Sequence, residues 1–416
     1  MIGGRFGGVL AVMRVPGYRN YTIGSTLSLV GTWIQRVAQG WLVWKLTESP
    51  AWLGLIAFST LGALMIMSPV AGVVADRIDR VRLSRVAQSM MLLQSIVLFV
   101  LVAGGWADRW MLLGLAIYLG IGQAFHTAAR LSLVPNLVPE NLMAPAIAIN
   151  SVIFQLAQFI GPAIAGIIIV RFGIAWAFSV NIFSFAIFLF ALFHVEVVRH
   201  ERPAPRVGFG PAILEGFRYA AGHPGIRPLL AVLFVSTFTA RAVTELLPGF
   251  AADVFGRGAD GLAWLTSMLG LGAMAGGFWM AQRSGVAGLT RVALACIGAV
   301  AIAILLFVAT DYFPFALLAL TGAGFAMLVT STGIQTLVQS AVEGRIRGRV
   351  LSVFNLILQG SPALGSLAIG TVSEWLGLRW PLAIGAVFCL LAWLWIAPQR
   401  GNIATVMERP ITPPRD

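Results

Sequence analysis

The sequence predicts an all-α membrane protein of twelve transmembrane helices, arranged as two pseudo-symmetric bundles of six. Three observations predict it. The 416 residues are 58% hydrophobic and only 11% charged, with a mean hydropathy of +0.88, whereas a soluble domain keeps roughly a quarter of its residues charged. Apolar runs of about 20 residues, enough to cross a bilayer, recur along almost the whole chain. Several segments of the first half also recur in the second at nearly one offset.

The runs of the first half fall at 20–46, 51–75, 83–105, 109–131, 143–170 and 172–196. Those of the second fall at 227–252, 260–282, 290–310, 312–338, 349–374 and 380–397. Lipid offers the backbone no hydrogen bonds, and runs this long and uniformly apolar mean helices rather than barrel strands. The resulting division is a bundle over 1–197, a cytoplasmic linker over 198–226, a second bundle over 227–398 and a tail over 399–416. The linker opens with Arg199-His-Glu-Arg-Pro, carries Pro205 and Pro211, and reads as a short amphipathic stretch around Ile213 to Ala221. The polar tail ends near Pro413-Pro414 and is expected to be mobile. Met1 to Gly17 is interrupted by glycine and arginine, so no cleavable signal peptide is expected.

Orientation follows from arginine. With both termini cytoplasmic, twenty-one basic residues fall inside, while Lys45, Arg109, Arg171, Arg257 and Arg379 fall outside and Arg36 and Arg241 lie within spans. The positive-inside rule therefore places both termini in the cytoplasm. The net charge of +12 resembles that of a nucleic-acid binder, but its arginines sit in short gaps between apolar runs, so no nucleic-acid partner is expected. Cys296 and Cys389 lie inside apolar runs without a CxxC spacing, so neither a disulfide framework nor a metal site is expected. The chain lacks a G-x-x-x-x-G-K loop, a metal cluster and any nucleophile–base arrangement, so no enzyme activity, no cofactor and no use of ATP as the energy source are expected.

The internal repeat pairs Gly120 with Gly324, Leu133-Val134 with Leu337-Val338, and Gly161-Pro162-Ala163 with Ser361-Pro362-Ala363. It also pairs Arg171-Phe-Gly-Ile-Ala-Trp with Trp375-Leu-Gly-Leu-Arg-Trp, and Val30 to Arg36 with Val235 to Arg241. Two parallel six-helix repeats suit an alternating-access transporter, with its site at their interface.

The turn after the second run, Gly72-Val-Val-Ala-Asp76-Arg77-Ile-Asp79-Arg80, resembles the signature loop of the major facilitator superfamily. Gln35-Arg36, Val134 to Glu140, Ala148-Ile-Asn150-Ser151, Gly161 to Gly166 and Arg347 to Ser352 narrow the likeness. Together they are similar to its transmembrane secretion effector branch, which contains the enterobactin exporter and macrolide efflux pumps. The resemblance covers essentially the whole chain and implies the major facilitator fold and a monomer. It implies that the loop is a conformational latch, with Asp76 near the N-terminus of the eleventh helix and Gly72 permitting close helix approach. Asp79, Arg77 and Arg80 belong to the same latch; a plain topology-fixing turn is the alternative. Gly161, Pro162 and Gly166 resemble the fifth-helix motif of exporters, although Ala157 and Ala165 replace glycines of the fuller pattern.

Ionisable groups inside spans are costly unless paired or hydrated. Arg36 lies deep in the first span, Arg241 is its counterpart in the seventh, and Glu245 follows Arg241 by one turn. They read either as a structural ion-pair cluster or as a substrate site with Glu245 as the proton-coupling group. The local sum of +1 favours an anionic or polar cargo. Further substrate-binding candidates are Gln35, Gln39, Gln123, His126, Gln155, Gln158, Gln335, Asn355 and Gln359, each equally compatible with interhelical bonding. His126-Thr-Ala-Ala-Arg130 departs from the Asp-x-Pro-Ala-Arg common in the family, as does Gln158 where arginine is frequent. Trp33 and Phe238, beside the arginines, read as packing or as surfaces for cargo.

The expected function is export of an amphiphilic small molecule, a siderophore or drug-like compound, across the bacterial inner membrane by proton antiport. A lysophospholipid transporter and a non-transporting receptor or scaffold are the alternatives.

Overall fold

The computed structural model describes residues 11–195, 209–283 and 285–408, and among these there are helices and no strands. Arg5, Arg199, Arg202, Arg206, Arg409 and Arg415 of the orientation count, with Pro205, Pro413 and Pro414, lie outside the described residues. Each of the twelve expected spans is a helix. The first six are α1 Pro16–Thr47, α2 Pro50–Arg77, α3 Arg80–Ala103, α4 Arg109–Leu133, α5 Met143–Phe172 and α6 Ile174–Phe193. The linker contributes α7 Phe209–Gly222. The second six are α8 Ile226–Gly249, which runs on as a π-turn to Val254, then α9 Ala259–Gln282, α10 Leu289–Ala309, α11 Phe313–Ala341, α12 Gly344–Leu376 and α13 Arg379–Ile396. Eleven of these are long and apolar enough to cross a membrane; α1, at 32 residues, is long enough but more polar.

Local chemistry sets the helix ends. Pro16 and Pro50 stand in the first turns of α1 and α2, where their missing N–H costs nothing. Asp79 opens α3 by accepting from the Arg82 amide at 2.8 Å, and Asp108 opens α4 by accepting from Trp110 N at 3.1 Å. The reversals from α5 to α6 and from α12 to α13 turn on Gly173 (φ 94°) and Gly377 (φ 74°), matched positions of the repeat. A side chain there would be strained. Exposed aromatics gather at the same set of loops: Trp106 and Trp110 between α3 and α4, Trp176 after α5, Tyr312 before α11, and Trp375 and Trp380 around Gly377. Such rings anchor at a headgroup interface.

By contact the chain divides into two compact units. One is drawn from Met1–Glu48, Ser59–Pro205 and Arg257–Ser267, the other from Ser49–Phe58, Arg206–Gly256 and Met268–Asp416. In these units α2 and α9 each give their opening turns to the other sequence half's unit. Within the first unit α1 packs on α5 and α6, and α3 on α4 and α6. Within the second, α8 packs on α12 and α13, and α10 on α11 and α13. The pairings are the same in repeat order, so the duplication is one of packing as well as sequence.

The matched glycines show how. A Cβ on Gly120 of α4 would run into the Thr60 carbonyl oxygen of α2, and one on Gly324 of α11 into the Leu269 carbonyl oxygen of α9. Likewise Gly161 of α5 meets Trp33 of α1, and Gly365 of α12 meets the Phe238 backbone of α8. Glycine lets membrane helices approach to backbone contact. The prolines, Pro162 and Pro362, sit one turn out of step with this glycine correspondence.

The tail differs from expectation. Arg400–Met407 forms a further helix, α14, whose Ile403 and Met407 are buried in a core with Ile226, Leu289, Leu337 and Ile396. Glu408 then accepts from Gly288 N at 2.7 Å and Thr290 N at 2.9 Å, capping α10. Apolar residues spaced one turn apart dock this segment, which its polar composition hid. The linker helix α7 docks as well: Gly216 lies against the Arg349 backbone, and Glu215 pairs with Arg349.

Candidate functional site

In the first unit α1 presents two faces. Arg36 is half-buried, and its guanidinium lies over the Trp33 indole, 5.3 Å from the ring centroid. Trp33 is itself buried, pinned by the bare backbone of Gly161 and by the edge of Phe154 at 6.3 Å. Its placement supports packing that orients Arg36.

Gln35, the neighbouring residue, is only 3% exposed. Its amide nitrogen donates to Gln94 Oε1 at 2.7 Å, and its Oε1 accepts from Ser95 Oγ at 2.7 Å and Asn181 Nδ2 at 2.6 Å. Ser184 Oγ closes the cluster on Asn181 Oδ1 at 2.9 Å, in space that a Cβ on Gly31 would occupy. The glutamine expected among the lining groups is therefore the hub that ties α1, α3 and α6 together. Gln39, on the same face, is also buried. Gln94, Ser95 and Asn181 escaped the sequence reading; their only signal was polarity in mid-span. At the position matching Gln35 the second repeat carries the buried, apolar Ala240.

Gln123 and His126 are half-buried on α4, and the His126 ring stands edge-on to Phe188 of α6 at 6.3 Å. Its Nδ1 has no hydrogen-bond partner among the described residues. Gln155 and Gln158 are half-buried on α5. Gly166 lies against Ala263, so the fifth-helix motif is realised as close packing at two points, Gly161 and Gly166.

In the second unit Arg241 and Glu245 occupy a half-buried face of α8 one turn apart, with the buried hydroxyl of Thr244 beside them. Thr237 of the same helix shares a 2.5 Å hydrogen bond with Ser361 of α12. Gln335 of α11 and Gln359 of α12 are half-buried, and Asn355 is exposed. These side chains combine charge, acid and amide groups inside membrane helices, an arrangement suited to a polar or charged cargo.

The signature loop is distributed among separate tasks. Asp79 is the α3 cap described above, while Asp76 and Arg77 are exposed at the end of α2 and Arg80 is half-buried. A Cβ on Gly72 would meet nothing within 4 Å.

Comparison with known proteins agrees. The profile of a family described as transmembrane secretion effector matches residues 7–407. The chain is 27% identical to the staphyloferrin A transporter of Staphylococcus aureus over 56% of this chain and 58% of that one. It is 26% identical to the enterobactin exporter EntS of Escherichia coli over 63% of this chain and 62% of EntS. These two matches thus span less than two thirds of the relatives' own lengths. Over 91% of this chain and 93% of the relative it is 24% identical to YfiS, an MFS-type transporter of Bacillus subtilis. Among solved structures, an inward-facing bacterial homologue of the human lysosomal transporter Spinster matches with a TM-score of 0.74 at 16% identity, covering 95% of this chain and 98% of that one. At that identity the likeness shows a shared fold.

Proposed function

The chain belongs to the transmembrane secretion effector family of the major facilitator superfamily, and from that premise we propose that it exports an amphiphilic small molecule by alternating access in exchange for protons. The cargo is a siderophore or an antibiotic-like compound, the class that the names of the staphyloferrin A transporter, the enterobactin exporter and macrolide efflux protein A share. The protein works as a monomer in the bacterial inner membrane with both termini cytoplasmic.

The observation that carries this reading is the acid–arginine pair on α8. Glu245 and Arg241 share a half-buried face of a membrane helix, where an ionised group is costly unless neutralised or hydrated. Proton uptake by Glu245 removes its negative charge and leaves Arg241 to attract an anionic or polar cargo. Proton release restores the neutral pair and weakens that attraction. In the second unit Gln335 and Gln359 are half-buried hydrogen-bonding groups without charge; in the first, Arg36, held over Trp33, is the cation, and Gln123, Gln155 and Gln158 are the uncharged groups. Binding that differs between the two protonation states is what couples one flux to another.

The test is flux in proteoliposomes under an imposed pH gradient, with siderophores and macrolides as probes. Gradient-driven movement lost in Glu245→Gln and Arg36→Ala supports the reading. A Glu245→Gln protein that still drives uphill, proton-dependent transport refutes Glu245 as the coupling group.

A further inference from the structure

The second unit contains a contact that the family signature does not include. Helix α2 starts at Pro50 with no acidic residue in its first turn. A carboxylate from the last turns of α12 takes that place, bonded by one N-terminal amide and by the capping serine. Ser49 Oγ donates to Glu374 Oε2 at 2.7 Å, and Ala51 N donates to the same oxygen at 3.3 Å. Ser49 Oγ also accepts from Trp52 N at 3.3 Å, so the serine caps its own helix and passes the cap on to Glu374. The carboxylate meets the positive end of the helix dipole.

Beneath it the two helices touch by backbone. Glu374, Gly370 and Ser366 are spaced four residues apart and so share a face of α12. A Cβ on Gly370 would stand 2.7 Å from the Pro50 carbonyl oxygen and 3.1 Å from Gly54 Cα, and one on Gly54 would strike the Ser366 carbonyl oxygen. The backbones meet at glycine on both sides of this seam, and its polar closure, Glu374, is exposed. A carboxylate at the surface regains water when released, so the contact is held and reversible. In the first unit the packing of Gly166 on Ala263 repeats the seam, but Val170, the counterpart of Glu374, is apolar. The polar closure is one-sided. Asp76, the acid of the signature loop at the other end of α2, is meanwhile exposed.

We propose that Glu374 is an outer clamp of the transport cycle: its carboxylate holds the first turns of α2 (Ser49–Phe58) on α12 in one half of the cycle and releases them in the other. This rests on the alternating-access reading, and on an orientation that puts the α1–α2 turn outside. Export needs such a closure, because a seam that stayed open between cycles would leak.

Accessibility labelling tests the clamp without any cargo. In a background lacking Cys296 and Cys389, Ser366→Cys places a thiol under the seam, where the native residue is fully buried. A membrane-impermeant maleimide is applied to intact cells. Losing a helix cap shifts an equilibrium by about fivefold, so Glu374→Ala is expected to raise the labelling rate about fivefold. Glu374→Gln, which keeps an acceptor oxygen and the side chain's shape, is expected to give a smaller rise and covers the case in which the alanine variant does not accumulate. Unchanged rates in both variants overturn the clamp. Trp375→Cys, on the exposed rim, should label equally in every background, and its failure to label in intact cells overturns the outer placement. A chain that moves no siderophore or macrolide yet shows the labelling shift loses the cargo reading and keeps the clamp.

Discussion

At the residue scale, a polar side chain in a membrane span binds either cargo or another helix, and its neighbours decide which. Gln35 and Arg36 are adjacent, yet Gln35 accepts and donates three hydrogen bonds inside the first unit while Arg36 lies over Trp33. Gln35→Leu is expected to strand Asn181 and Ser95 and to cost about 1–2 kcal/mol. It should lower the melting temperature of the purified protein while leaving the order of preference among exported compounds unchanged; a changed preference would return Gln35 to the site. A second expectation concerns pH. His223 Nδ1 accepts from Gly225 N and Ile226 N at 3.2 Å each, capping α8, and burial lowers its pKa below the usual 6.5. The unfolded chain therefore takes up this proton first as the pH falls. The stabilisation is present above about 6.5 and is lost as the pH drops below that towards the lowered value. Melting curves should show a smaller loss on acidification in His223→Asn, whose oxygen accepts at any pH, than in the parent.

At the element scale, short terminal segments act as fasteners. Helix α14 is eight residues long, too short to be stable alone, and it exists because Ile403 and Met407 enter the core and Glu408 caps α10. Glu408→Ala is expected to cost about 1 kcal/mol, the value of a lost cap. Ending the chain after Gln399 removes the buried Ile403 and Met407 too and should destabilise it by several kcal/mol; thermal unfolding in detergent measures both. Longer helices depend on contacts without side chains. Gly324→Leu places a branched side chain where the Leu269 backbone stands, so this variant is expected to fail to accumulate in the membrane. Gly322→Leu, where a Cβ meets nothing within 4 Å, should accumulate normally. The half-chain repeat made the Gly120 and Gly324 pair visible in sequence; the docking of α14 was not, because its two anchoring residues have no periodic run around them.

At the scale of the whole molecule, the two sequence halves are not the two compact units. Ser49–Phe58 belongs with the second unit, and Arg257–Ser267 with the first. Each half expressed alone therefore lacks a segment that its own unit uses. Residues 1–205 and 206–416, produced as separate chains, are expected to accumulate several-fold more when made together than when made singly, read by immunoblot of the membrane fraction. Equal amounts in both cases would mean that the exchanged segments add nothing to either unit. The same exchange gives Glu374 its target, since the turns it caps are the ones that α2 contributes to the second unit.

The sequence by itself determined the membrane class, the twelve helices and their near-duplicate order, because apolar length and arginine placement act locally and additively along the chain. It also marked Arg36, Arg241 and Glu245, since an ionisable group in a span stands out against any apolar background. Only the tertiary structure decided which polar groups are spent on packing. Gln35 became a hub because Gln94, Ser95 and Asn181 come from helices far along the chain, and Glu374 became a cap because its partners lie 323 and 325 residues away. Hydrogen-bond partners are chosen by distance in space, and a side chain's own sequence neighbourhood carries no record of them.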